Sequence, residues 1–334
     1  MKSRDVSLDI IRILACCMVV LMHSPIPSAD APGPFLTALS YLTAPCIGLF
    51  FMVSGALLLP VRQSYPEFLR SRMGRILGPT LFWTAVYVVL KLYQAPESVD
   101  MIQTIISLPF VPQGNGILWF MYTLAGLYLL APIISPWIEK ASQRDMQIVL
   151  ALWAVTLCYP IIGQWAITNE SNTGILYYFG GYAGYFLLGC YLRRYPRALS
   201  LTAAIAIGAL GAALLLTIRF AQVQVDFYRM FWYLSIFVAA LCVAVWITTT
   251  LCTARLRLAS TPFITTVSNL TFGVYLSHIL IMRGWLWHIT WIAAIPHYVL
   301  KTFVVAIVTL ILSLFLCALI SRLPGAQWII GYKK

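Results

Sequence analysis

The chain has 334 residues, of which 61% are apolar and only 10% are charged. A typical soluble domain carries about 25% charged residues, so a soluble fold could not keep this much apolar surface from water. The net charge of +12 does not indicate nucleic-acid binding, because the basic residues form short clusters between apolar runs and no single face combines them with aromatic readers. Such clusters are typical of cytoplasmic loops beside anionic lipid.

Ten apolar runs are each long enough to cross the hydrocarbon core as a helix. Most basic residues fall on one side when successive helices reverse direction, which places both termini in the cytoplasm. We therefore predict an all-α polytopic membrane protein with one transmembrane domain over residues 1–334 and no soluble domain. The predicted helices are Leu8–Met22, Ala38–Pro60, Ile76–Tyr93, Gly116–Ile134, Met146–Ala166, Gly174–Leu192, Leu199–Thr217, Met230–Thr250, Val267–Trp287 and Tyr298–Ile320.

The first predicted helix carries charges that hydrocarbon tolerates only when they are paired or wetted. Asp9 and Arg12 are three residues apart, so they share a helix face and can pair. His23 follows Arg12 after close to three helical turns, so the two side chains face nearly the same direction at two depths. This spacing predicts a polar path along one side of the helix. The alternative is a structural ion pair at the interface, with His23 in headgroup water.

Other polar and aromatic residues also interrupt the apolar pattern. His278 lies near mid-membrane, one turn after Tyr275, and a buried histidine there needs a hydrogen-bond partner or water; a structural bond and direct chemistry both stay open. Arg72 and Arg75 share a face of a cytoplasmic segment and could bind phosphates, although positive-inside charge also explains them. Trp119 opens the fourth helix, where aromatic anchoring is usual. The eight cysteines form no CxxC pair, so we expect no metal site.

Five segments, in this order along the chain, resemble the signatures of acyltransferase family 3, a family of integral membrane O-acyltransferases. They are Arg12 and His23 with ten residues between them, Leu49–Gly55 (L-F-F-M-V-S-G), Arg72–Arg75, Leu118–Phe120 (L-W-F) and Tyr275–His278 (Y-L-S-H). The resemblance spans nearly the whole chain. The chain is similar to the short stand-alone members of the family, because we expect no appended hydrolase-like domain.

The resemblance implies transfer of an acetyl group from cytoplasmic acetyl-CoA to a hydroxyl of a surface polysaccharide or lipid-linked sugar outside the bacterial inner membrane. It implies membrane lipid as a further partner, no nucleic acid and no bound cofactor. A transporter or flippase for a small polar solute or lipid-linked sugar is the competing hypothesis, since it also explains intramembrane arginine and histidine. A membrane scaffold without chemistry is the third.

Under the enzymatic interpretation, His23 is the general base on the acceptor hydroxyl, because the ordinary histidine pKa of about 6.5 lets it take a proton at neutral pH. Arg12, oriented by Asp9, positions the pantetheine arm of the donor or its phosphates. Arg72 and Arg75 hold the CoA phosphates. The acyl or acceptor pocket is formed by Trp119, Tyr275 and His278.

Overall fold

The structure, a computed structural model, describes residues 4–28, 31–112, 116–159, 176–196, 200–220 and 232–332. These ranges are mainly helical and contain no β-strand, which confirms the predicted all-α class. The end of the predicted helix Met146–Ala166 and the start of Gly174–Leu192 lie outside the described residues.

The α-helices of the described ranges are numbered here in chain order. They are α1 Val6–His23, α2 Gly33–Thr43, α3 Cys46–Leu58, α4 Tyr65–Gln94, α5 Met101–Ser107, α6 Trp119–Lys140, α7 Gln143–Thr156, α8 Ala183–Arg194, α9 Leu201–Phe220, α10 Ile236–Arg255, α11 Pro262–Gly284, α12 Thr290–Ala293, α13 Tyr298–Ile320 and α14 Ala326–Ile330.

Seven stretches of the described chain are long and apolar enough to cross a membrane. They confirm a multi-pass membrane protein, whereas the count of ten and the cytoplasmic termini stay predictions. The predicted helix Ala38–Pro60 is interrupted at Pro45, which separates α2 from α3. Helices α7 and α8 have 14 and 12 described residues, fewer than the roughly 20 that a bilayer crossing needs.

Helix α4 begins at Tyr65, well before the predicted start at Ile76. Ser64 and Glu67 explain the early start, because the Glu67 carboxylate accepts hydrogen bonds from the backbone N–H and the hydroxyl of Ser64. This reciprocal capping satisfies donors that the first helical turn leaves open. The arginine segment, which was predicted to be cytoplasmic and to precede the third transmembrane helix, is therefore the first part of a helix of 30 residues.

Helix α13 shows an arrangement expected in lipid, with apolar side chains outside and hydroxyls inside. Its exposed large side chains recur every four residues at Phe303, Ile307, Ile311 and Phe315. Its buried polar residues are Thr302, Thr309 and Ser313. An apolar outer face of this kind is stable only against hydrocarbon or another protein.

The described residues divide into two compact units. Unit 1 comprises Met1–Met22, Pro27–Leu59 and Trp137–Ser268, and unit 2 comprises His23–Ile26, Pro60–Pro136 and Asn269–Lys334.

In unit 1, α3 and α8 approach each other through glycine. A Cβ built on Gly55 would lie 2.6 Å from the carbonyl carbon of Phe186, and one built on Gly189 would lie 2.6 Å from Cα of Met52. Small residues allow helix backbones to approach closely in membranes, where no hydrophobic force draws apolar helices together. Gly55 ends the L-F-F-M-V-S-G signature, so that part of the signature has a packing role.

In unit 2, α4 packs against α11 and α14. The Tyr87 hydroxyl donates to the carbonyl of Leu276 at 2.8 Å, and the Trp83 indole N–H donates to the carbonyl of Ile329 at 2.9 Å. The phenol and the indole thus cross-link three helices through backbone carbonyls. The Tyr87 bond holds α4 against α11, which carries His278.

Candidate active site

Two histidines meet in unit 2. His23 is the last residue of α1, and His278 lies within α11. Their ring centroids are 5.2 Å apart, with the ring planes tilted by 58°. His278 has no exposed surface, whereas His23 is half-buried. The sequence predicted His23 as the general base and His278 as a residue of the acyl or acceptor pocket, and the structure brings the two rings into contact.

The hydrogen bonding of His278 defines its tautomer. Its Nδ1 lies 2.6 Å from the backbone carbonyl oxygen of Tyr275. A carbonyl only accepts, so Nδ1 carries the proton and donates it. The other nitrogen, Nε2, is buried and has no hydrogen-bond partner among the described residues.

Tyr275 joins two of the signature segments. Its hydroxyl donates to the backbone carbonyl of Ile117, and its ring centroid lies 5.2 Å from that of Phe120. The segment Leu118–Phe120 therefore packs on the segment that carries His278. Trp119 is half-buried beside Phe120, with the two rings edge to face at 6.4 Å. The predicted pocket residues Trp119, Tyr275 and His278 thus belong to one neighbourhood of unit 2.

Tyr298 is a positioning residue that the sequence did not single out. It opens α13, and its hydroxyl donates to the carbonyl of Ile26 at 2.9 Å. This bond fixes the segment that directly follows His23. A tyrosine at a helix start is usually explained as an interfacial anchor, so its partner could not be inferred from the pattern.

The predicted donor-binding arginines lie in the first turns of α4. Arg72 is half-buried, and its Nε is buried without a hydrogen-bond partner in the described part of the chain; Arg75 is exposed. Tyr87, which contacts α11, lies fifteen residues beyond Arg72 on the same helix. At 1.5 Å per residue this separation is about 22 Å. Helix α4 therefore connects the arginines with the helix of His278.

Asp9 anchors a polar cluster in unit 1. The Arg4 guanidinium donates two hydrogen bonds to the Asp9 carboxylate, from Nε at 2.6 Å and from Nη2 at 2.8 Å. The Ser268 hydroxyl donates a third at 2.7 Å. The charge of Arg12 also acts on this carboxylate. Arg4 and Ser268 are partners that helix spacing did not indicate. The interpretation that Asp9 orients the half-buried Arg12 stays a prediction.

Three buried hydroxyls in unit 2 depart from the usual pattern of membrane helices. Serine and threonine commonly bond the carbonyl four residues back, as three neighbours in the same unit do: Thr80, Ser277 and Thr302. By contrast, the hydroxyls of Thr84, Thr309 and Ser313 have no hydrogen-bond partner among the described residues. Unit 2 therefore contains polar interior groups that its described side chains do not satisfy.

No group of three or more His, Cys, Asp or Glu side chains in the described ranges is arranged to share a metal ion. A pair of imidazole rings offers proton transfer through its nitrogen lone pairs.

The fold defines a multi-pass membrane protein, and its signature segments supply a histidine pair, of which His278 is buried and His23 is half-buried. Residues 5–322 match the sequence profile of the family described as an acyltransferase domain. The chain therefore belongs to acyltransferase family 3 and is a membrane acyltransferase. Searches of curated proteins and of solved structures each find no significant match.

Proposed function

We propose that the protein is an O-acetyltransferase of the bacterial inner membrane. It moves an acetyl group from cytoplasmic acetyl-CoA to a hydroxyl of a surface polysaccharide or lipid-linked sugar on the other side. The observation that carries the proposal is the contact between His23 and His278, which joins the first and last signature segments. The short stand-alone members that the signature segments resemble include the O-acetyltransferase of enterobacterial common antigen, so a lipid-linked sugar of that kind is the first acceptor to test.

The arginines of α4 suit the donor. A guanidinium offers paired donors to phosphate oxygens, and Arg72 has a buried Nε whose bonding capacity is unused in the described chain. The pantetheine arm extends from the phosphates toward α11, along a helix that spans about 22 Å from Arg72 to Tyr87. The partnerless hydroxyls of unit 2 are candidate partners for its amides. For Arg12 the role expected from the sequence, which is to position the pantetheine arm or its phosphates, stays a prediction.

The chemical step is proton abstraction followed by acyl transfer. His23 takes the proton of the acceptor hydroxyl, and the oxygen attacks the thioester carbonyl. The new C–O bond forms as the C–S bond breaks, and the CoA thiolate leaves. His23 then returns the proton to the thiolate sulfur. The products are the acetyl ester and free CoA, so no metal ion or redox partner is required.

Membrane vesicles supplied with isotopically labelled acetyl-CoA test this proposal. Label should enter the glycan fraction, and His23→Ala should reduce the rate at least about 100-fold, the usual range of acid–base catalysis. His288→Ala is the matched control, because His288 is exposed. Near-normal turnover of His23→Ala would eliminate the general-base role. Solute flux without consumption of acetyl-CoA would favour the transporter.

A further inference from the structure

We infer that His278 is the positioning residue of the base: its Nε2 lone pair accepts the N–H of His23 and so selects the tautomer of His23 that can take a proton. The inference rests on the proposed function and assigns a specific task to a residue that the signatures only place in the pocket.

One ring nitrogen of His278 already donates a hydrogen bond within the structure. Nδ1 of His278 donates to the Tyr275 carbonyl, and Nε2 is buried without a partner in the described chain. A doubly protonated ring would add a second N–H with no described acceptor, and burying an unsatisfied donor or a charge is costly. His278 is therefore neutral, with a bare Nε2.

The position of His23 gives that lone pair its partner. The ring centroids are 5.2 Å apart, and the proposed bond forms when the half-buried His23 side chain rotates so that one ring N–H points at Nε2 of His278. A neutral His23 that donates one N–H to His278 keeps a lone pair on its other nitrogen. That nitrogen is then the one that faces the acceptor hydroxyl.

This arrangement favours the transition state over the ground state. When His23 takes the proton of the hydroxyl, its ring becomes positively charged, and its N–H bond to His278 becomes charge-assisted. Such bonds are roughly twice as strong as neutral ones. An interaction that strengthens only as the reaction proceeds raises kcat rather than substrate affinity.

Tyr275 fixes the orientation of the His278 ring and therefore the direction of its Nε2 lone pair. Its carbonyl binds Nδ1 of His278, and its hydroxyl binds the carbonyl of Ile117. The tyrosine thereby ties the rotation of the buried imidazole to the segment before α6.

Two isosteric substitutions separate this task from simple packing. In His278→Gln the amide oxygen can replace the Nε2 acceptor, and in His278→Asn the amide N–H can replace the Nδ1 donor. We expect His278→Asn to lower kcat about 100-fold, a general acid–base effect, with an unchanged KM for acetyl-CoA. His278→Gln should retain at least ten times the kcat of His278→Asn.

The opposite order would overturn the inference, because it would show that the Tyr275 bond alone matters. Equal kcat values for the two variants would overturn it as well. Failure of the proposed function is distinguishable, since the wild-type protein itself would then not transfer acetyl groups.

The tautomer can also be measured with His278 itself unchanged, which covers the case in which the His278 variants do not fold. The chain has four histidines, and His288 and His297 are exposed, so His288→Gln and His297→Gln remove their signals. With ¹⁵N-labelled histidine in detergent, His278 should show a protonated Nδ1 and a bare Nε2. A protonated Nε2 on His278 would overturn the inference.

Discussion

Gly55→Ala tests whether the signature L-F-F-M-V-S-G acts through packing or through chemistry. The new Cβ would lie 2.6 Å from the carbonyl carbon of Phe186. The obstacle is backbone on α8, so no side-chain rotation relieves it. The two helices must separate, and we expect the variant to lose stability before it loses any catalytic group.

The size of the loss follows from the distance. The carbonyl oxygen of Phe186 would lie even closer to the new Cβ than the carbonyl carbon does, so restoring ordinary contact requires the helices to part by more than about 1 Å, and a gap of that size forfeits roughly half of the dispersion energy at each contact. Overpacking against a backbone atom falls at the upper end of the usual cost, about 3 kcal/mol or more, while replacing glycine by alanine within a helix returns about 0.5–1 kcal/mol. The net destabilisation is at least about 2 kcal/mol.

The assay is thermal unfolding of purified protein in detergent, where a loss of this size lowers the melting temperature by at least about 4 °C. Gly189→Ala adds the same bulk from the opposite side of the interface, against Met52, and should produce a similar shift. Gly126→Ala is the control, since its Cβ would meet nothing within 4 Å. A Gly55→Ala protein that melts like the wild type but transfers no acetyl groups would refute the packing role.

Three further substitutions test the site. Arg72→Lys keeps the charge but loses the guanidinium fork, so the KM for acetyl-CoA should rise about tenfold or more in the vesicle assay; an unchanged KM would remove Arg72 from donor binding. Tyr275→Phe frees the carbonyl of Ile117 from its hydroxyl partner and should lower kcat several-fold in the same assay, whereas full activity would show that the tether is dispensable. Ser268→Ala removes one hydrogen bond to the charged Asp9 carboxylate and should destabilise the protein by about 1.5–3 kcal/mol in thermal unfolding, with a normal melting temperature counting against a structural bond.

The fold was most predictable where the apolar pattern is uninterrupted. The predicted helix Tyr298–Ile320 has the bounds that the structure gives to α13, because a long apolar run has no competing conformation in lipid. The predicted helix bounds were wrong where a proline or a capping pair determines where a helix begins or ends. Pro45 divides a predicted helix into two, and the Ser64–Glu67 pair, which the spacing S-x-x-E could have indicated, starts α4 early.

The site was predictable in its residue types and not in its partners. Polar side chains within a membrane are energetically costly, so His23 and His278 could be identified from the sequence as candidate functional residues. Their contact joins helices far apart in sequence, and no helical spacing encodes it. The hydrogen bond from His278 to the Tyr275 carbonyl could not be predicted either, because every residue has a backbone carbonyl and the side-chain pattern does not indicate which one accepts. Arg4, which binds Asp9, lies outside the predicted first helix.

A pair of histidines is also better suited than a histidine and a carboxylate to a site beside the hydrocarbon of the membrane. Soluble acyl-transfer enzymes commonly orient a base histidine with a buried carboxylate, but a carboxylate beside hydrocarbon needs several donors to offset its desolvation. Asp9 illustrates this requirement, since it takes three hydrogen bonds from Arg4 and Ser268. A neutral histidine whose donor side is held by a carbonyl supplies the acceptor without bringing a charge into the site. His278 can therefore orient His23 at a depth where an aspartate would first have to be neutralised.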